Sequence, residues 1–190
     1  MGYGSDFMNV YQTNLQDALA IEGHAVQDNR GAFSRLFCLD ELQSIIGDRK
    51  IVQINHSMTH RIGTIRGLHY QKPPHAEMKI VRCLRGRVFD VAVDLRQRSS
   101  HFKKWTAIEL TPENQRALVI PEGFAHGFQV LEEGSELLYL HTTFYTPEAE
   151  GAIRFNDPLI GVNWPLSPID ISSRDLNHPL IDEDFEGLFL

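Results

Sequence analysis

The run KIVRCLRGRVFDVAVDL, residues 79–95, decides the fold class. Its two parts, KIVRCL (79–84) and RVFDVAVDL (87–95), are dense in valine, isoleucine and phenylalanine, which suit a pleated, packed surface. Arg85-Gly86 stands between them, and glycine there admits the backbone of a tight turn, so the spacing predicts a hairpin. Working outward, runs of the same kind recur at KIVQINH (50–56), TIRGLHYQ (64–71), WTAIEL (105–110), ALVIP (117–121), GFQVL (127–131) and ELLYLHTTFY (136–145). Short strands with turn residues between them predict an all-β sandwich or barrel, not alternating βα units. One short helix is expected over Asp40 to Ile46, with Asp40 as N-cap and Gly47 as stop, and one helical turn near Ser172–Leu176. No repeat or linker interrupts the chain. It reads as a single domain over 1–190, with 1–6 as a flexible tail and 165–190 as a C-terminal segment packing on the barrel.

A chain of 190 residues that is 42% hydrophobic can bury one substantial core. It contains no apolar run of about 18 residues, so no membrane span is expected, and its start lacks the pattern of a secretory signal. Cys38 and Cys83, without a CxxC spacing, suit reduced thiols and a cytoplasmic setting. The net charge of −7 argues against a nucleic-acid partner. Charge is uneven, however: Arg66 to Arg98 holds eight basic and three acidic residues, the rest ten basic and 22 acidic. Such a patch suits a small anionic ligand in one cleft.

Strand alternation sorts side chains by face. In ELLYLHTTFY, Tyr139, His141, Thr143 and Tyr145 share one face and Leu138 and Leu140 the other; in KIVQINH, Gln53 and Asn55 lie opposite Val52 and Ile54. Polar faces on strands this apolar suggest a lined cavity. Two further runs, IRGLHYQ (65–71) and PEGFAHGF (121–128), each set a histidine beside glycine. Arg66 offers a planar fork for phosphate, and His69 can exchange a proton near neutral pH. Being three apart, these two would point oppositely on a regular strand, unless Gly67 supplies a bulge.

Taken in order, RGLHYQ, Lys79-Ile-Val-Arg, GRVFDVAVDLR, IPEGFAHGF, LLYL…YTPEAEGAIRFNDP and GVNWPL resemble the dTDP-4-dehydrorhamnose epimerase family, from about Gly23 to Asp182. The resemblance implies a cupin-type jelly roll (double-stranded β-helix) with a few short helices. It implies epimerisation at C3, C5 or both of a nucleotide-linked 4-keto-6-deoxyhexose, with no metal and no cofactor. Such chemistry needs a base on one face, an acid on the other and a cation at the enolate oxygen. By resemblance His69 is the base, Asp175 the carboxylate orienting it, Tyr139 the opposed proton donor and Lys79 the cation. His126, Arg66, Arg30, Gln53, Asn55, Tyr145, Glu150 and Arg174 are further substrate contacts. A homodimer is also implied, with N-terminal strands crossing the interface, so that Arg30 serves the neighbouring site.

Plainer roles stay open: Tyr139 as a core tyrosine, Asp175 as a cap of the turn at Ser172, and Asp90 as a buried polar partner near His126. Of the other histidines, His24, His60, His75, His101 and His178 read as structural or surface residues. His56 reads as the one likeliest to approach the nucleotide, and His141 as a pocket candidate. Arg35, Glu77-Met78 and Leu140 depart from the family pattern, and Arg35 puts the identity of the base in question. The rivals are a metal-dependent cupin oxygenase, disfavoured because no H-x-H occurs, a sugar 3,4-ketoisomerase, and a non-catalytic nucleotide-sugar binder.

Overall fold

The computed structural model describes residues 8–190, so the tail expected over 1–6 lies outside the described residues. The strands are β1 (Met8–Gln12), β2 (Leu19–Gly23), β3 (Ala25–Asp28), β4 (Gly31–Ser34), β5 (Gln53–Thr59), β6 (Ile65–Gln71) and β7 (Lys79–Arg85). They continue with β8 (Val88–Asp94), β9 (Trp105–Leu110), β10 (Arg116–Ile120), β11 (Phe124–Val130), β12 (Ser135–His141) and β13 (Glu150–Ala152). Two short helices, α1 (Leu39–Ile46) and α2 (Ser173–Asn177), accompany them. A six-stranded sheet in the order β1-β2-β10-β7-β12-β5 faces a five-stranded sheet in the order β13-β6-β11-β8-β9, and β3-β4 form a separate hairpin. All the strand pairs are antiparallel. This is the expected all-β cupin jelly roll.

The opening run behaves differently from its spacing. Its halves, β7 and β8, do not pair but lie in different sheets. Arg85-Gly86 is therefore a corner, not a hairpin. Gly86 has φ 75°, and a Cβ there would stand 2.5 Å from Ser135 Oγ, so the chain can turn between sheets only without a side chain. The corner explains why RVFDVAVDL is apolar almost throughout. The inward side chains Val88 and Ala92 join Val81, Cys83, Leu118, Phe128 and Leu137 between the sheets. The outward Val91, Val93 and the following Leu95 are covered by Ile153, Ile160, Trp164, Phe185 and Leu188 of the C-terminal third. Parallel bridges Thr64–Ile169 and Arg96–Leu188 hold that segment to the barrel. On the far side α1 lays Leu42 and Ile46 against Ile21, Ile80, Val119 and Leu140.

All eight sequence runs are strands, with shifted ends. The last run stops at His141, because Thr142 turns its hydroxyl to bond Met78 N and O at 2.9 and 3.0 Å. Tyr145 consequently lies beyond the strand. The short strands β1 to β4 and β13 have no strong β-branched run to announce them. Helix α1 begins at Leu39 with Cys38 at the N-cap position and no side-chain cap. Asp40 is thus inside the first turn, where with Glu41 it faces the positive end of the helix dipole. Gly47 ends it with φ 62°, as expected. In α2, Ser172 is the cap, its Oγ accepting from Asp175 N, which leaves the Asp175 carboxylate for other partners.

Candidate active site

A cleft of about 540 Å³ opens at one end of the sandwich, lined by Ile54, Asn55, His56, Ser57, Arg66, His69, Lys79, His126, Phe128, Tyr139 and His141. Both sheets contribute. On β7 the inward row runs Cys83, Val81, Lys79, and on β12 Leu137, Tyr139, His141, with these residues paired across the strands in register. Each row is apolar in the core and becomes polar at the cleft, which is how one strand serves packing and chemistry at once.

From the opposite sheet come Arg66 and His69 on β6. The pairing His126–His69 is followed by Phe128–Arg66, so β6 carries an extra residue there. This is the bulge expected at Gly67, and it brings both side chains into one cleft. Gly67 has φ 129°, and a Cβ on it would lie 2.5 Å from Gly127 Cα. The glycines of the two histidine motifs thus cross backbone against backbone.

His69 Nε2 donates to Asp175 Oδ1 at 2.7 Å, and Asp175 Oδ2 accepts from Gly67 N at 3.4 Å. Burial alone would raise the Asp175 pKa, but the His69 hydrogen bond and charge and the Gly67 amide outweigh it and hold the carboxyl below its ordinary range. Across the cleft, Tyr139 OH bonds Ser57 Oγ at 3.1 Å. Burial, reinforced by the negative charge of Asp90, pushes the phenol pKa up from 10.0, against the Ser57 bond and Arg66, so Tyr139 stays protonated at neutral pH. Its ring stacks on His141 (centroids 6.1 Å, 18°) and meets His126 edge-on at 6.2 Å. His126 Nε2 in turn bonds the fully buried Asp90 Oδ1 at 2.9 Å. Lys79 Nζ lies 2.9 Å from Glu77 Oε1.

The remaining expected contacts fall elsewhere. Gln53 does not line the cleft; its Oε1 accepts from Tyr145 N at 3.2 Å. Tyr145 OH donates to Glu150 Oε2 at 3.0 Å, and Arg174 clamps the same carboxylate at 2.9 and 3.1 Å. These three form a polar cluster beside Asp175, whose Oδ1 is 4.0 Å from Arg174 Nε. Arg30 stands apart on the β3–β4 hairpin, its side chain 85% exposed and paired with Asp28. Arg35 pairs with Glu41, away from the cleft.

The expected basic patch is likewise dispersed. Arg82 is buried on Gln115 O, Arg85 and Arg87 face Glu136 and Glu109, and Arg96 binds Asp94 and Asp17, leaving Arg66 and Lys79 as its cleft members. The alternation reading stopped at Asn55, although two further steps along the same face reach Ser57. The Asp90–His126 pair matches the plainer reading. His178, read as a structural or surface residue, has Nε2 3.8 Å from Asp175 Oδ1, an i,i+3 contact that the spacing of the two residues on the α2 turn could have signalled.

A family description for dTDP-4-dehydrorhamnose 3,5-epimerase matches residues 12–183. The chain belongs to this family. It is 44% identical over 179 residues to the dTDP-4-dehydrorhamnose 3,5-epimerase of Salmonella typhimurium, covering 93% of this chain and 97% of that one. A crystal structure of the dTDP-4-dehydrorhamnose 3,5-epimerase from Elizabethkingia anophelis superposes with TM-score 0.87 at 38% identity, covering 94% of this chain and 99% of that one. The Legionella pneumophila dTDP-6-deoxy-D-glucose-3,5-epimerase, solved in complex with dTDP-4-keto-L-rhamnose, gives 0.89 at 36% identity, covering 96% and 99%.

Proposed function

We propose that His69 and Tyr139 are the base and acid of a dTDP-4-keto-6-deoxyhexose epimerase. The observation that carries the assignment is their placement on opposite sheets of one cleft, His69 on β6 and Tyr139 on β12. Membership in the family makes the chain an isomerase that inverts C3, C5 or both of such a sugar in deoxysugar biosynthesis. A carbon beside a ketone loses its proton readily only if the enolate oxygen is stabilised. Lys79 supplies the positive charge, and its tether to Glu77 occupies one of three N–H donors. His69, with Nε2–H committed to Asp175, presents Nδ1 as proton acceptor, and the ionised carboxylate stabilises the imidazolium that forms. Tyr139, kept neutral by burial, returns a proton from the other face. No step in this scheme requires a metal or redox cofactor.

Arg66 and the Glu150–Arg174–Tyr145 cluster are the proposed holders of the diphosphate and nucleoside, with Asn55 and His126 completing the sugar end. Since Arg35 is engaged with Glu41 outside the cleft, its departure from the family pattern does not argue against a thymidine carrier. The protein is proposed to act as a homodimer in the cytoplasm. Its β3–β4 hairpin exposes Phe33 (71%) and Val26 (53%), apolar surface of the kind a second copy covers, and carries Arg30 toward the neighbouring site. A cupin ketoisomerase would move the ketone, which product NMR distinguishes. His69→Asn is expected to abolish turnover of dTDP-4-keto-6-deoxyglucose. Tyr139→Phe is expected to slow far-face protonation more than proton abstraction. Wild-type rates in both variants would overturn the assignment.

A further inference from the structure

We infer that His141 and Glu77 are positioning residues that bind the phenol of Tyr139 and the ammonium of Lys79 into one rigid unit on the β12 side of the cleft. This rests on the proposed roles of Tyr139 and Lys79, and adds residues that those roles do not require. His141, the last residue of β12, pairs in register with Lys79 of β7, and Glu77 lies on the segment leading into β7. His141 Nδ1 is 2.7 Å from Glu77 Oε2, and its Nε2 is 3.3 Å from Asn55 Nδ2.

One neutral tautomer satisfies every contact. Nδ1–H donates to the carboxylate, while Nε2 accepts from the Asn55 amide. The other Glu77 oxygen takes the Lys79 ammonium at 2.9 Å. A chain of hydrogen bonds thus joins Asn55, His141, Glu77 and Lys79, with His141 and Lys79 both donating to the carboxylate. The His141 ring also stacks on that of Tyr139 at 18°, which limits the phenol's swing, and Tyr139 OH is held by Ser57.

The unit is shielded as well as connected. The side chains of Lys79 and Glu77 are each 9% exposed and that of His141 12%, so their attractions are little screened. Burial would raise the Glu77 pKa, but the hydrogen bond from His141 and the charge of Lys79 bring it down to about 2, so the bridging carboxylate is ionised. Both ring nitrogens of His141 are consumed by protein contacts. It therefore acts through Tyr139 and Lys79, not by transferring a proton to the sugar.

The test is steady-state kinetics on dTDP-4-keto-6-deoxyglucose for His141→Phe, His141→Asn, Glu77→Gln and Tyr139→Phe, each checked for thermal melting and dTDP binding. Phenylalanine keeps a flat ring but breaks the chain of hydrogen bonds; asparagine restores a donor near the Nδ1 position. Misplacing catalytic groups by about 1 Å costs up to ~100-fold. His141→Phe should accordingly lower kcat by roughly 10- to 100-fold with KM changed less than about threefold. Glu77→Gln should do the same, and His141→Asn should recover most of kcat. Wild-type kcat in His141→Phe and Glu77→Gln, or a loss confined to KM, would overturn the inference. If His141→Phe fails to melt cooperatively, Glu77→Gln decides by the same criterion. Tyr139→Phe separates the two levels. A slow Tyr139→Phe beside a normal His141→Phe refutes only the positioning role, whereas a fully active Tyr139→Phe refutes the acid assignment beneath it.

Discussion

Asp175 shows how little of a buried carboxylate's environment is local. Its N–H is spent on Ser172 Oγ, yet its carboxylate reaches across 106 positions of sequence to His69 at 2.7 Å. Ser172, not Asp175, caps the turn, which leaves the Asp175 carboxylate to bond His69 and Gly67, as its proposed orienting role requires. Asp175→Asn preserves shape but offers the imidazole an amide instead of an anion. It is expected to lower kcat by on the order of 10²-fold with little change in melting temperature, measured on the same substrate. Glu77 gives an expectation in pH. Its pKa is depressed from 4.5 to about 2, so its contribution to stability is complete above the unfolded value and is lost as pH falls from about 4.5 toward 2. Urea midpoints of wild type and Glu77→Gln should differ most at pH 7, narrow as pH falls below about 4.5 and converge only as pH reaches about 2. A gap that stays constant from pH 7 down to pH 2 would mean that the carboxylate's charge is not what stabilises the site.

The crossing of β6 and β11 decides whether the two histidine motifs meet at all. Arg66 and His69 share a cleft only because β6 carries an extra residue at Gly67, and that bulge fits only because Gly127 opposes it without a side chain. A Cβ on Gly127 would stand 2.6 Å from Arg66 O, a backbone atom that cannot swing away. Gly127→Ala is expected to cost about 1–3 kcal/mol in urea unfolding and to lower activity beyond that loss, since the bulge positions the proposed base, His69. The bulge was legible because two functional side chains three apart on a strand demanded it. The corner at Gly86 was not, since a turn glycine between two apolar runs looks the same whether the strands pair or part; partner choice is fixed by the opposite sheet. The strands β1, β3 and β4 carry no long apolar run because β1 lies at a sheet edge and β3–β4 form a separate hairpin, whereas β2, paired on both sides, buries Ile21 within only five residues. Ser57 joined the site through pairing with Tyr139 of a distant strand, whereas His178 lies one helical turn beyond Asp175.

At the scale of the molecule, polar inward residues of the two facing sheets gather in the cleft between them. Charge counted along the sequence pointed to a basic cleft, but Arg85, Arg87 and Arg96 serve ion pairs away from it, leaving Arg66 and Lys79 in the cleft. Arg30, on the exposed β3–β4 hairpin, does not line its own chain's cleft, in keeping with the proposed dimer. Mixing Arg30→Ala with His69→Asn protomers should then restore roughly a quarter of wild-type activity, since half the dimers are mixed and each holds one intact site. No recovery on mixing would place Arg30 outside the neighbouring site. The central claim is proton transfer beside a ketone by His69 and Tyr139 from opposite sheets. Its most direct measurement is incubation with dTDP-4-keto-6-deoxyglucose in deuterated water, following the ring protons by NMR. The account predicts deuterium at C3, C5 or both with the ketone unmoved, and none with His69→Asn. Absence of label in the wild-type enzyme, or label undiminished in His69→Asn, would contradict it.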